Sequence, residues 1–396
     1  MNNFEFFNPV KIVYGKGESE RIGALAESIG KRALIVSYTV TDFFGDLFDR
    51  IRASLSEHKI ASEVYFGATA NPKISEAKAG IKAAKEFGAD MIIGVGGGSV
   101  MDLAKVIAAG VLYPHDIRKM IVFSHSSSEQ IPPKEALPMI MLPTLPGTAS
   151  EMNPTAVITD DATLRKSYVW EPACLFPKAS ILDPSLTASL PAYQTACGAI
   201  DSISHAVEPF FFSDEETYGN IDLQSNMQLA VIKTVYDNLP KVLENPADVE
   251  LRGVMQFSAT VALNGWLTPG IQGWTPMHQM GHVLSSHFGA THGATLACMM
   301  LAWMRYFASH KQNGRFVAFA KAMFGTEDLL LAADKFEEYI KSVGVETRIS
   351  EFGCTEADLE RLTDGVVSVS FSANGTLASI PPITRSEAYE IYKLSL

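Results

Sequence analysis

Basic residues are in the minority in this 396-residue chain: 32 Lys and Arg stand against 44 Asp and Glu, a net charge of -12. Neither a nucleic acid nor an anionic membrane tolerates such a field, so both are excluded as main partners. No basic run interleaved with aromatics contradicts this. Long hydrophobic runs are also missing. The longest, Leu296 to Met304, is far too short to span a bilayer and reads as buried helix. Cysteine is scarce, and Cys174, Cys197, Cys298 and Cys354 stand in unrelated contexts without a CxxC pair. Reduced thiols fit that pattern better than a disulfide framework. Residues 1–7 lack the charged-then-apolar order of a secretory signal. The expectation is a cytoplasmic globular protein with two domains, each large enough to bury its own core.

In the first half, apolar runs of strand length alternate with stretches of helical spacing. Strands are expected at Val10 to Tyr14, Ala33 to Ser37, Ala61 to Phe66, Asp90 to Val95 and Pro138 to Pro143, then at Ala156 to Thr159 and Ser180 to Asp183. Helices are expected from Glu20 to Ile29, Phe43 to Leu55 and Ile74 to Phe87, and again directly after Ser99. After Asp183-Pro184 the strand patterns stop and helical spacing takes over. The boundary is therefore placed there, giving an α/β domain over residues 1–184 and an all-helical domain over 185–396.

Two turns in the first half are suited to a dinucleotide. Gly96-Gly97-Gly98-Ser99 joins a buried strand to a helix that continues through Asp102 and Lys105. That geometry presents free N–H groups and a positive dipole end to a phosphate, and glycine lets the backbone approach it closely. Thr144-Leu145-Pro146-Gly147-Thr148-Ala149-Ser150 is a hydroxyl-rich turn after another buried strand, suited to phosphate or ribose.

The second half carries the other chemistry. Five of the nine histidines lie between Asp201 and His292. Asp201 and His205 are four apart, as are His278 and His282, so each pair projects from one helical face. His292 follows a glycine-containing break. One carboxylate and several imidazoles suit a first-row divalent metal. A metal facing a nicotinamide suggests hydride transfer between alcohol and carbonyl, with a spare histidine relaying the proton. Two other readings stay open at this level. His278-Gln279-Met280-Gly281-His282 nearly spells the zinc-protease helix, but Gln279 stands where that mechanism needs its general base. A nucleotide-binding protein with a structural metal is the non-catalytic alternative, although such sites usually contain cysteine.

Taken together, Gly96 to Lys105, Pro143 to Glu151, Asp183-Pro184, Gly198 to Glu208 and His278 to Gly293 resemble the iron-containing alcohol dehydrogenases, in order and over nearly the whole chain. The likeness is closest to the butanol dehydrogenase and aldehyde reductase branch. It implies a Rossmann-like parallel sheet followed by an all-α metal-binding domain, the architecture shared with dehydroquinate synthase. It implies Asp201, His205, His278 and His292 as metal ligands, with His282 unligated on the proton path. For the dinucleotide it implies Gly97, Gly98 and Ser99 at the pyrophosphate. Tyr38, Asn71, Asp102, Thr144, Thr148 and Lys166 would line the rest. The metal would be Fe(II) or zinc, the substrate an aldehyde or primary alcohol with a polyol as the alternative, and the assembly a homodimer. Pro146 before Gly147 departs from the usual hydroxyl turn. The strand from Ala33 ends in Ser37-Tyr38-Thr39, with no carboxylate until Asp42. That favours NADP(H) over NAD(H), because nothing there repels a 2′-phosphate.

Overall fold

The computed structural model describes residues 1–122, 130–310 and 313–396. Its first half is a six-stranded sheet made of β1 (Lys11–Tyr14), β2 (Arg32–Tyr38), β3 (Ala61–Ala68), β4 (Met91–Gly96), β5 (Met139–Pro143) and β8 (Ala179–Leu182). All pairings are parallel and the spatial order is β1-β8-β5-β4-β2-β3. Helices α1 (Ile22–Ala26) and α2 (Leu47–Glu57) cover one face, whereas α3 (Ile74–Phe87) and α4 (Gly98–Leu112) cover the other. Covering on both faces explains why β4 and β5 read as unbroken apolar runs. The chain leaves β2 for the edge strand β3, then returns across β2 to form β4. The crevice of this doubly wound sheet therefore opens between the ends of β2 and β4, where such folds place their ligands.

Several boundaries differ from those expected. The stretch after Glu20 begins as a 3-10 turn, Glu18–Arg21, and α1 ends at Ala26. Phe43 belongs to a short 3-10 turn closed by Gly45 at φ 55°, so α2 starts four residues later than its spacing suggested. Helix α4 starts at Gly98, two residues before the expected start after Ser99. Lys166 opens a strand, β7 (Lys166–Trp170), which forms an antiparallel hairpin with β6 (Thr155–Thr159) beside the main sheet. Asp160 shapes the turn of that hairpin by accepting from the Leu164 and Ala162 N–H groups.

From Ala192 onward the chain is helical, apart from the small hairpin of β9 (Thr376–Leu377) and β10 (Ile383–Thr384). Long helices α5 (Ala192–Phe211) and α7 (Asp222–Glu244) pack together with α8 (Val249–Ala262), α9 (Pro276–Phe288) and α10 (His292–Ala308). The short α6 (Glu215–Tyr218) lies between α5 and α7, and α11 (Gly314–Phe324), α12 (Leu329–Ser342), α13 (Leu359–Ser370) and α14 (Arg385–Leu394) complete the half. Helix α10 is buried almost throughout, including Trp303 and Phe307, which accounts for its uninterrupted apolar sequence. Among the described residues no helix is long and apolar enough to cross a membrane.

The two halves meet where the 144–150 turn crosses α5. A Cβ added at Gly198 would lie 2.2 Å from the Pro146 carbonyl oxygen, so only glycine lets the turn lie on the helix. Gly198→Ala is therefore expected to cost about 1–3 kcal/mol in urea unfolding. Gly314→Ala, at a position with nothing within 4 Å among the described residues, is expected to leave stability unchanged or slightly raised.

Candidate metal and dinucleotide site

Strand β4 delivers Gly96 and Gly97 to the crevice, and α4 begins at once. Among the described residues no side chain caps α4, so the positive end of a 15-residue helix faces the opening. The Gly97 N–H donates to the Tyr38 hydroxyl at 2.9 Å, which ties the end of β2 to the glycine turn. A Cβ at Gly98 would lie 2.5 Å from Thr148 Cγ2, so the two turns are in direct contact. The Thr144 N–H donates to the Gly96 carbonyl at 3.0 Å. Tyr38, Gly97, Gly98, Ser99, Thr144 and Thr148 thus gather around one helix terminus.

The hydroxyl turn is held from below. Ala149 adopts φ 48°, a left-handed conformation costly for a residue with a side chain. Asn153 Nδ2 fastens the strained segment by donating to the carbonyls of Thr148 (3.1 Å) and Ala149 (2.8 Å). Lys105, fully buried, donates from Nζ to Ser150 Oγ (2.9 Å), the Asn153 carbonyl (2.8 Å) and the Thr155 carbonyl (2.7 Å). Burial pulls its ammonium down to about 8, against the opposing pull of Asp102 and Glu151. The Asp102 carboxylate is itself committed inward, accepting from Ser150 Oγ (2.6 Å) and the Val157 N–H (3.0 Å). It braces the turn and does not face the opening.

Lys166, on β7, donates to Asn71 Oδ1 at 2.8 Å, and Asn71 sits at φ 55°. Burial brings the Lys166 ammonium down to about 8, while the charges of Asp102 and Asp201 resist. Its field reaches the histidines beyond. Burial first, and then the Lys166 charge, push His282 and His292 well below the ordinary histidine value.

Asp201, His205 and Glu208 share one face of α5, His278 and His282 come from α9, and His292 opens α10. Asp201 Oδ1 lies 3.3 Å from His205 Nε2, 3.4 Å from His278 Nε2 and 3.7 Å from His292 Nε2. Asp201, His278 and His292 each offer one ligand atom within 4.8 Å of the others. His205 falls outside that group, but its ring stacks on His278 with centroids 4.2 Å apart. Asp201 Oδ1 and His278 Nε2 are buried and, among the described residues, hydrogen-bonded to nothing. A carboxylate oxygen and an imidazole nitrogen left bare at this proximity suit a divalent cation better than each other. His282 lies beside the same group, its ring centroid 5.1 Å from that of His292 and 6.3 Å from that of His278.

The protonation pattern is uneven. Burial alone would raise Asp201, but His205 and His278 hold it below the usual carboxylate range. His205 is driven down to about 3 by burial and by His278. For His278 burial acts downward, yet the charges of Glu208 and Asp201 prevail and hold it up at about 9. His287 turns back on its own helix, with Nδ1 2.9 Å from the Val283 carbonyl. Trp274 packs against the helical core and Trp266 is largely exposed.

One residue of the Gly198 to Glu208 motif was given no role from the sequence. Glu208 is fully buried and accepts from the Met277 and His278 N–H groups at 2.5 and 3.1 Å, and it also meets His278 Nδ1. Its signal was its spacing, seven residues after Asp201 on an apolar helix. The two sites are contiguous, because a Cβ at Gly147 would lie only 3.0 Å from Asp201 Oδ2.

Comparison with known proteins covers the full length. The model of the iron-containing alcohol dehydrogenase family matches residues 9–184, and that of the C-terminal part of the Fe-containing alcohol dehydrogenase family matches 195–396. The chain is 32% identical to the probable NADH-dependent butanol dehydrogenase 2 of Bacillus subtilis, with 100% of both chains covered. It is 29% identical to the NADPH-dependent aldehyde reductase YqhD of Escherichia coli, over 91% of this chain and 92% of that protein. The crystal structure of NADH-dependent butanol dehydrogenase A from Thermotoga maritima superimposes with a TM-score of 0.91 at 33% identity, covering 100% of this chain and 99% of that one.

Lys105→Met would strip four acceptor oxygens of this donor and remove the more strongly acting of the two positive charges that lower Asp102. It is expected to destabilise the protein by about 3–5 kcal/mol in urea unfolding, an effect too large for a side chain that only fills space.

Proposed function

The chain belongs to the iron-containing alcohol dehydrogenase family, and we propose that it reduces aliphatic aldehydes such as butanal to primary alcohols, with hydride drawn from a nicotinamide dinucleotide. The observation that carries this reading is the bare Asp201 oxygen among three imidazoles, directly beneath the turn that abuts the glycine-rich helix terminus. Full-length relatives named as butanol dehydrogenases, and another named as an aldehyde reductase, favour aldehydes over polyols.

Asp201, His205, His278 and His292 would hold a divalent metal, in our reading Fe(II), and the same donor set suits zinc. Gly97, Gly98 and Ser99 would receive the pyrophosphate. Thr144, Thr148, Asn71 and Lys166 would hold the ribose and nicotinamide side, and Tyr38 would border the adenosine half. When bound, the metal supplies Lewis-acid polarisation of the substrate oxygen and the dinucleotide supplies the hydride. The residues supply the remainder. Lys166, held by Asn71, places a positive charge beside the reacting groups. His282, outside the carboxylate-centred group, is placed to pass a proton between that oxygen and solvent. The overall reaction consumes one aldehyde, one NAD(P)H and one proton and yields one alcohol and one NAD(P)⁺.

The coenzyme form we favour is NADP(H), since β2 ends in Ser37 and Tyr38 and both side chains are engaged with the β4 end rather than offering a carboxylate. We place the protein in the cytoplasm, as a homodimer formed across the edge strand β1 and the exposed Phe4, Phe6, Phe7 and Phe257.

Metal-stripped protein, assayed anaerobically with butanal, is expected to consume NADPH only after Fe(II) is added. A tenfold or greater preference for NADH in kcat/KM would reject the coenzyme assignment and leave the chemistry standing. His278→Ala should lose both bound metal and turnover. His282→Ala should keep the metal, measured by elemental analysis, while kcat falls by roughly 10²-fold or more. Loss of metal from His282→Ala alone would reverse the two roles.

A further inference from the structure

We propose that Glu208 is the positioning residue of the metal centre: it fixes the His278 proton on Nδ1 and thereby turns the Nε2 lone pair toward Asp201. The proposal rests on the reading of His278 as a metal ligand.

Both oxygens of Glu208 are spent on the start of α9. One accepts from the backbone N–H groups of Met277 and His278, and the other meets His278 Nδ1. Thr275, at the N-cap position of α9, makes no side-chain cap, so a carboxylate from a different helix does that work. The charge is favourably placed, because the N-terminus of a 13-residue helix carries the positive end of its dipole. A carboxylate only accepts hydrogen bonds. Facing it, Nδ1 must donate, and in a neutral imidazole the lone pair must then sit on Nε2. That nitrogen is the one found 3.4 Å from Asp201 Oδ1, buried and without a hydrogen bond among the described residues. Helix spacing completes the device. Glu208 lies seven residues, about two turns, beyond Asp201 on α5. One helix thus presents an oxygen to the centre and a second carboxylate to the far side of the same imidazole. His205 and His292 lack such a partner, since their Nδ1 atoms are buried without one among the described residues. His278 is the imidazole whose orientation the fold specifies.

A purely structural role for Glu208 is separable from this one. In Glu208→Gln the carboxamide oxygen can still cap α9, but its NH2 then faces Nδ1. His278 must accept there and carry its proton on Nε2, which closes the lone pair to the metal. The test is chelator competition on Zn(II)- or Co(II)-loaded protein, with thermal unfolding of the metal-free forms as the check on folding. Glu208→Gln is expected to raise the metal dissociation constant by roughly 10- to 100-fold while the metal-free midpoint stays near that of the unsubstituted protein. An affinity within threefold of the unsubstituted protein would overturn the proposal. His278→Ala separates the two levels. If it binds metal normally, the ligand assignment itself is wrong. If it loses metal while Glu208→Gln does not, only the role of Glu208 fails. Should Glu208→Gln not fold, 15N-histidine spectra of the unsubstituted Zn(II)-loaded protein decide the matter. A protonated Nδ1 on His278 is expected, and a proton on Nε2 would refute the proposal.

Discussion

Asp201 Oδ1 is buried among three imidazole nitrogens at 3.3 to 3.7 Å and hydrogen-bonds to none of them among the described residues. Leaving a carboxylate oxygen in that state costs several kcal/mol unless positive charge compensates it. The compensation built into the chain is partial, coming from the proton favoured on His278 and from Lys166 across the interface. A divalent cation would complete it. Three helices, α5, α9 and α10, bring Asp201, His205, His278 and His292 to one point with their backbones close together. Gly293 shows how close: a Cβ there would lie 2.0 Å from the Cys197 carbonyl oxygen. The contact of α10 with α5 therefore depends on an absent side chain.

The same logic extends into the first half. Gly198 admits the Pro146 carbonyl, Gly147 admits the Asp201 carboxylate, and Gly98 admits Thr148. Three glycines at three successive contacts run from α5 through the hydroxyl turn to α4. Beneath them Lys105 holds the turn with a charged donor that cannot be replaced by packing alone. A dinucleotide and a metal bound at either end of this chain of contacts would be held at a separation set by close backbone approach, with only the Asp201 and Thr148 side chains between. Such preorganisation is what hydride transfer asks of a protein, because the cofactors carry the chemistry and geometry decides whether it occurs.

Much of this was legible in the sequence, for identifiable reasons. Asp201, His205, His278 and His282 were readable because helical spacing converts a four-residue interval into a shared face. The glycine turn was readable because a buried parallel strand and a buried helix have different periods on either side of it. Lys166 was not expected on a strand, since β7 belongs to a short hairpin with one further bridge from Tyr168 to Val122, and the polar turn of that hairpin gives no apolar alternation. The delayed start of α2 turned on Gly45 at positive φ, and one glycine does not announce its dihedral angle. Asp102 looked like a cofactor contact from its motif, and its inward orientation depends on Ser150 and Val157, some fifty residues away. The role of Glu208 was hidden for the same reason. Its partners are backbone N–H groups of α9, and sequence does not say which helix terminus will dock against which carboxylate.

Lys166 and Glu208 bracket the histidine group with opposite charges, and their difference in reach sets the character of each imidazole. Glu208 touches one ring and favours its protonation, whereas Lys166 touches none and depresses His282 and His292 through space. A metal site needs neutral imidazoles with free lone pairs, and a reduction needs a proton at hand. These demands conflict if every histidine sees the same field. Here they are separated by direction. The negative partner lies behind His278, on the side away from Asp201, where it can hold an Nδ1 proton without blocking Nε2. The positive partner lies on the side of His282 and His292, where, after burial, it is the next influence lowering those two rings, and it would add to the attraction for an anionic substrate oxygen. Exchanging the two charges would protonate the wrong nitrogens and repel the developing alkoxide, so the polarity of the bracket is as much a part of the site as its distances.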